Sequence, residues 1–138
     1  MSDQHERDRI DALIGAFFSA FDNRGGVLPE LKRVVDCFSD KAVIVRHSKA
    51  ATAIYTPLEF ALPRIDLLAG GALRDFHEYE TDSSTSIFGG IATRTSRYSK
   101  LGILNDSDYS GSGTKCFQLV DLSDGWRISS LAWVDDDA

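Results

Sequence analysis

The stretch Gly113-Thr114-Lys115-Cys116-Phe117-Gln118-Leu119-Val120, followed by Gly125-Trp126-Arg127-Ile128-Ser129-Ser130-Leu131-Ala132-Trp133, decides the fold class. Phe117 and Leu119 lie two apart and so on one face of a strand, and Lys115 shares their parity. Asp124-Gly125 between the two stretches is a two-residue hairpin signal. Working backwards, the residues from Ala72 are enriched in Thr, Ile, Tyr and Phe and carry a second hairpin signal at Gly89-Gly90. Strands are predicted near 73–87, 91–100, 113–121 and 126–134, with Asn105 to Gly113 a longer polar loop.

The first half reads differently. Ile10, Leu13, Ile14, Phe17, Phe18 and Phe21 recur at helical spacing and place the large apolar groups on one face. Asp3 and Glu6 have capping-box spacing, and Gly25-Gly26 supplies residues that tolerate a left-handed turn after the helix. A second helix is predicted from Pro29 to Phe38, ending at Ser39-Asp40, and the run Ala42 to Val45 reads as a strand, with a short one at Ala53 to Tyr55. Thr56, Pro57 and Glu59 mark the start of a third helix as cap, first position and capping-box partner. Pro63 removes a backbone donor inside that helix, and Gly70-Gly71 ends it. Helices first and an antiparallel sheet afterwards make an α+β domain in which the helices cover one face of the sheet. A sheet curled around helices leaves a cavity at its mouth, where small ligands bind.

Composition narrows the function. At 138 residues the chain has the length of one domain with one core and needs neither metal nor disulfide to fold. The net charge of −6 and a pI near 4.9, with no basic stripe, oppose nucleic-acid binding. Cys37 and Cys116 have no CxxC spacing and no clustered histidines near them, so buried reduced thiols are expected and neither a metal nor a cofactor. Met1 to Arg9 is polar, and no later stretch has the length of a membrane span. The expectation is a cytoplasmic protein without a membrane partner. Asp135, Asp136 and Asp137 read as a solubilising tail.

The run Phe38-Ser39-Asp40-Lys41-Ala42 leading into the first strand, the order of elements and the two terminal strands together resemble the nuclear-transport-factor-2-like superfamily, with its ketosteroid isomerases and SnoaL-like polyketide cyclases. The resemblance covers nearly the whole chain. It implies a cone: a curved mixed or antiparallel sheet wrapped around three N-terminal helices. It does not imply one activity, because the superfamily hosts isomerases, dehydratases, cyclases, hydrolases and binding proteins. Where ketosteroid isomerases carry a tyrosine on the first helix and two aspartates on strands, local matching puts Phe17, Arg46 and Lys115. A phenyl ring donates no hydrogen bond and a guanidinium is no base at neutral pH, so that mechanism is not supported.

The resemblance also turns Ala92, Arg94, Ser96 and Tyr98 inward on their strand. Phe17, Arg46, Phe60, Arg94, Tyr98 and Lys115 are then candidate ligand-binding residues, with Arg46, Arg94 and Lys115 three cations pointing to one cavity and selecting an anionic ligand. The competing reading pairs these cations internally with Glu78, Glu80 or Asp75, or lets their heads snorkel to solvent. His77 and Tyr79, of one parity on their strand, are candidates for acid/base chemistry of the dehydratase kind. Two function classes remain, a small-molecule-binding domain and a lyase or isomerase. A third, interaction-only reading requires Phe17, Phe60 and Phe117 to fill the cavity. On the last strand an unbroken alternation puts Trp126, Ile128, Ser130, Ala132 and Val134 inside, and Leu131 and Trp133 outside on an apolar patch suited to a two-fold homodimer, as the resemblance also implies.

Overall fold

A computed structural model describes residues 3–137. The amphipathic first helix, α1, spans Asp3–Ser19 and buries Ile10, Ile14, Phe17 and Phe18. Asp3 already belongs to the helix, and Glu6 accepts from Trp126 Nε1 at 2.6 Å and pairs with Arg9. A 3-10 turn at Arg24–Gly26 follows, with Gly25 and Gly26 in the left-handed region. The second helix, α2, is only Leu31–Val35, because β1 begins at Phe38 and runs to His47, well ahead of the predicted strand. Then come β2 at Thr52–Tyr55 and α3 at Pro57–Ala69. Its capping box is formed as expected: Glu59 N donates to Thr56 Oγ1 at 3.2 Å and Thr56 N to Glu59 Oε1 at 2.8 Å. The helix runs on through Pro63.

The four long strands are β3 at Leu73–Phe88, β4 at Ile91–Leu104, β5 at Ser107–Leu122 and β6 at Gly125–Asp135. The expected polar loop from Asn105 is instead a tight hairpin: Asn105 and Asp106 both take positive φ, and β4 and β5 pair from Leu104↔Ser107 onward. A pair of adjacent positive-φ residues matches the twist of the flanking strands, and Asn and Asp adopt it more readily than most side chains. The sheet order is β2-β1-β6-β5-β4-β3, with β1 parallel to β6 and the other pairs antiparallel. This is the α+β cone, a curved and unclosed mixed sheet over three helices. No helix among the described residues is long and apolar enough to cross a membrane.

One irregularity reverses the expectation for β6. Leu119 pairs with Ile128 but Gln118 pairs with Ser130, so Ser129 is an extra residue, its hydroxyl donating to Gln118 O at 3.1 Å. A one-residue bulge moves every later side chain to the opposite face. Trp126 and Ile128 face the core before it; Leu131, Trp133 and Asp135 do so after it. Leu131 and Trp133 therefore do not form an outer patch. The outward residues there are Ala132 and Val134, and the dimer expected through Leu131 and Trp133 loses its basis.

The core is aromatic at its centre. Phe17 meets Phe21, Phe38 and Phe117 edge-on and lies parallel to Phe60 at 6.4 Å. Asn23 ties the helices to the sheet edge: its buried amide donates to Leu68 O and Leu73 O at 3.1 and 2.8 Å, and its oxygen accepts from Phe76 N at 2.8 Å. Cys37 is buried, and burial raises its thiol to about 11. Cys116, expected inside, is exposed, because the parity that buries Lys115 and Phe117 turns it out.

Candidate functional site

Between α1, α3 and the concave face of the sheet lies a cavity of about 330 Å³, within the range of small-ligand sites. Phe17 and Phe60 form part of its apolar wall with Phe21, Phe76 and Trp133. These rings leave the space open, so the condition for an interaction-only reading is not met. Arg46 on β1 and Lys115 on β5 both face this cavity, so Phe17, Arg46 and Lys115 do stand around one space. Tyr98 lies beneath its floor, fully buried, with its ring 4.2 Å from Lys115 Nζ.

Arg94 is the exception among the expected cations. From β4 it lines a separate hollow of about 510 Å³ between α1 and the sheet edge at β3. Glu80 accepts from Arg94 Nε and Nη2 at 3.1 and 2.7 Å, and Asp11 from Nη1 at 2.6 Å. This is the internal pairing that competed with ligand contact, in bidentate geometry. His77 and Tyr79 are stacked at 5.0 Å, and they line that same hollow rather than the cone. The register of β3 breaks between Arg74 and His77, where Asp75 has positive φ, and again between Glu80 and Asp82. Leu73, Phe76 and Glu78 are the β3 residues that reach the cone.

Several groups of the cone were not singled out by sequence reasoning. Asp135, read as tail, is the last inward residue of β6: the Tyr98 hydroxyl donates to it, Lys100 Nζ lies at 3.4 Å and Arg46 Nη2 at 3.6 Å. Lys115 Nζ sits 3.1 Å from Glu78 Oε1, an ion contact whose angle falls outside hydrogen-bond geometry. Arg64, on α3, holds its guanidinium 4.3 Å from the Phe60 ring centroid and 5.3 Å from that of Trp133, with Nη1 donating to Phe60 O at 2.8 Å. No carboxylate forms an ion pair with it among the described residues. Four cations, Arg46, Arg64, Lys100 and Lys115, thus face the cavity against two carboxylates, Glu78 and Asp135.

Burial alone would raise Asp135, but the Tyr98 hydroxyl and Lys100 outweigh it and hold the carboxyl below its ordinary value. A depressed carboxylate stabilises the fold above the unfolded value of about 3.9, and that stability is lost as the pH falls through the folded value. Tyr98→Phe is therefore expected to cost about 1–3 kcal/mol in urea titrations at pH 7 and less at pH 3, below the unfolded carboxylate value of about 3.9. An equal cost at both values would show that the Tyr98–Asp135 bond contributes nothing that depends on the carboxylate charge.

No protein-family model matches the chain, and no curated protein matches it in sequence. Solved structures do match. A protein from Kribbella flavida superposes with a TM-score of 0.80 at 19% identity, over 98% of this chain and 93% of that one. A nuclear-transport-factor-2-like protein with a cystatin-like fold from Novosphingobium aromaticivorans gives 0.77 at 15% identity, over 98% and 84%. A hexachlorocyclohexane dehydrochlorinase from Novosphingobium barchaimii LL02 gives 0.75 at 16%, over 96% and 88%. The chain has the nuclear-transport-factor-2-like cone fold, as Phe38 to Val45 and the last two strands led one to expect. At such identities the likeness concerns the fold.

Proposed function

We propose that the protein is a small-molecule-binding domain whose cone takes a small anionic ligand with an apolar, preferably aromatic, body. The observation that carries this is Arg64: a cation held over Phe60 and Trp133, facing the cavity, with no carboxylate partner among the described residues. Burial lowers its guanidinium from the ordinary value, and a ligand carboxylate would compensate for that desolvation with charge-assisted hydrogen bonds. Arg46, about half exposed and only loosely paired with Asp135, adds a second donor at the mouth. A recessed site focuses these local charges and is little governed by the acidic surface far from it.

The acid/base reading through His77 and Tyr79 finds no support in their position, since both line the hollow against α1.

Benzoate and its neutral isostere benzamide test the proposal by thermal shift. At 100 times Kd, benzoate should add about 2.7 kcal/mol, a rise of roughly 8 °C for a domain of this length. Benzamide should add far less. Arg64→Met, which keeps much of the stem over Phe60, should weaken benzoate about 10-fold to 100-fold. Equal stabilisation by benzamide, or an unchanged benzoate response in Arg64→Met, would refute the anionic reading.

A further inference from the structure

Two lysines face the cone, and their surroundings differ. Lys100 lies beside Asp135, with its ammonium 5.5 Å from the Tyr109 ring centroid. Burial lowers it, but Tyr109 and Asp135 together leave it above the ordinary lysine value. Lys115 is more deeply buried, its ammonium between the Tyr98 and Trp133 rings, 4.2 and 4.9 Å from their centroids. Its burial outweighs the attraction of Glu78 and lowers it. Glu78 Oε1, also buried, has no hydrogen-bond partner although Lys115 Nζ is 3.1 Å away. An acceptor for the Lys115 proton is thus already in place, and a desolvated amine beside an acceptor is the setting of a nucleophilic lysine.

We propose that Lys115 forms an imine with the carbonyl carbon of an oxo acid bound in the cone. The ligand class follows from the cavity: an aldehyde or ketone carbon to meet Lys115, a carboxylate for Arg64, and an apolar body between the rings. Lys115 and Arg64 both lie against Trp133, so one small molecule can span them. The inference deepens the anionic reading and rests on it for the carboxylate. The step needs no oxidant. The ammonium gives a proton to Glu78, and the freed lone pair bonds to the carbonyl carbon as the C=O π pair moves to oxygen. That oxygen collects two of the three nitrogen protons, one by way of Glu78, and leaves as water as C=N closes. The products are an iminium on Lys115 and one water.

The test uses phenylpyruvate and 3-phenylpropionate, which share an apolar body and a carboxylate and differ in the carbonyl. With cyanoborohydride at neutral pH, phenylpyruvate should leave one reduced adduct per chain by intact mass, mapped to Lys115 in the parent protein. Lys115→Arg, which keeps the charge, should lose at least nine-tenths of the adduct, and Glu78→Gln should slow labelling about tenfold. Mapping in the parent needs no variant to fold. Labelling at Lys100, or spread evenly over Lys32, Lys41 and Lys49, or absent altogether, overturns the proposal. If 3-phenylpropionate stabilises the protein but no adduct forms at Lys115, the imine is wrong and the anionic reading stands. If 3-phenylpropionate does not stabilise it, the anionic reading fails, and neutral benzaldehyde decides the chemistry: selective labelling of Lys115 supports the imine, and none refutes it.

Discussion

Leu131→Asp is expected to abolish the native fold, while Ala132→Asp, one residue along, leaves stability within about 0.5 kcal/mol of the parent. Leu131 is fully buried, paired in register with Ile44 of β1 and Phe117 of β5, which are themselves completely buried. Truncating such a leucine costs about 2–5 kcal/mol, and an unpaired carboxylate among these groups adds several more. That sum reaches the whole stability of an ordinary domain, about 5–15 kcal/mol. Ala132 is exposed, so its aspartate meets water. Circular dichroism and urea titration read both variants. The opposite pattern, a folded Leu131→Asp and a crippled Ala132→Asp, would mean that the bulge at Ser129 is absent and β6 keeps a single phase.

Arg94→Met should cost about 1–3 kcal/mol of stability and leave the affinity for benzoate unchanged. Arg94 is almost wholly buried and holds Glu80 through two hydrogen bonds; removing it strands that carboxylate with Ser96 and no cation. Arg94→Met/Glu80→Leu should recover much of the loss, because the half-buried carboxylate goes with its cation and the remaining one, Asp11, is exposed to water. Calorimetric titration of benzoate into whatever fraction remains folded separates the two roles. A large fall in affinity with little loss of stability would return Arg94 to the ligand site.

Local signals in the chain were sufficient where they were chemically specific. Thr56-Pro57 with Glu59 starts α3 as read, and the period of Ile10 to Phe18 gives α1 its buried face. Errors came where one residue changes a phase. Trp126 and Ile128 are out of step with Leu131 and Trp133 by one position, and two apolar pairs out of step across Ser129-Ser130 are a bulge signature. That signature turns Trp133 inward, and with it Asp135, whose place in an acidic run resembles a tail. The fate of His77 was less accessible, since the register breaks on either side of it depend on how β3 wraps around α1. Arg64 follows Pro63 on the third helix, and only the tertiary placement of Phe60 and Trp133 gives it a role. The internal partners of Arg94, by contrast, included one named in advance, Glu80.

The most direct test of the account is a crystal structure grown with 4-bromobenzoate, because anomalous scattering from bromine places the ligand without reference to the protein coordinates. The account predicts bromine inside the cone among Phe17, Phe60 and Trp133, with the carboxylate in hydrogen-bond reach of Arg64 or Arg46. Bromine in the hollow beside Arg94 and His77, or a carboxylate turned to solvent with neither arginine engaged, would contradict it.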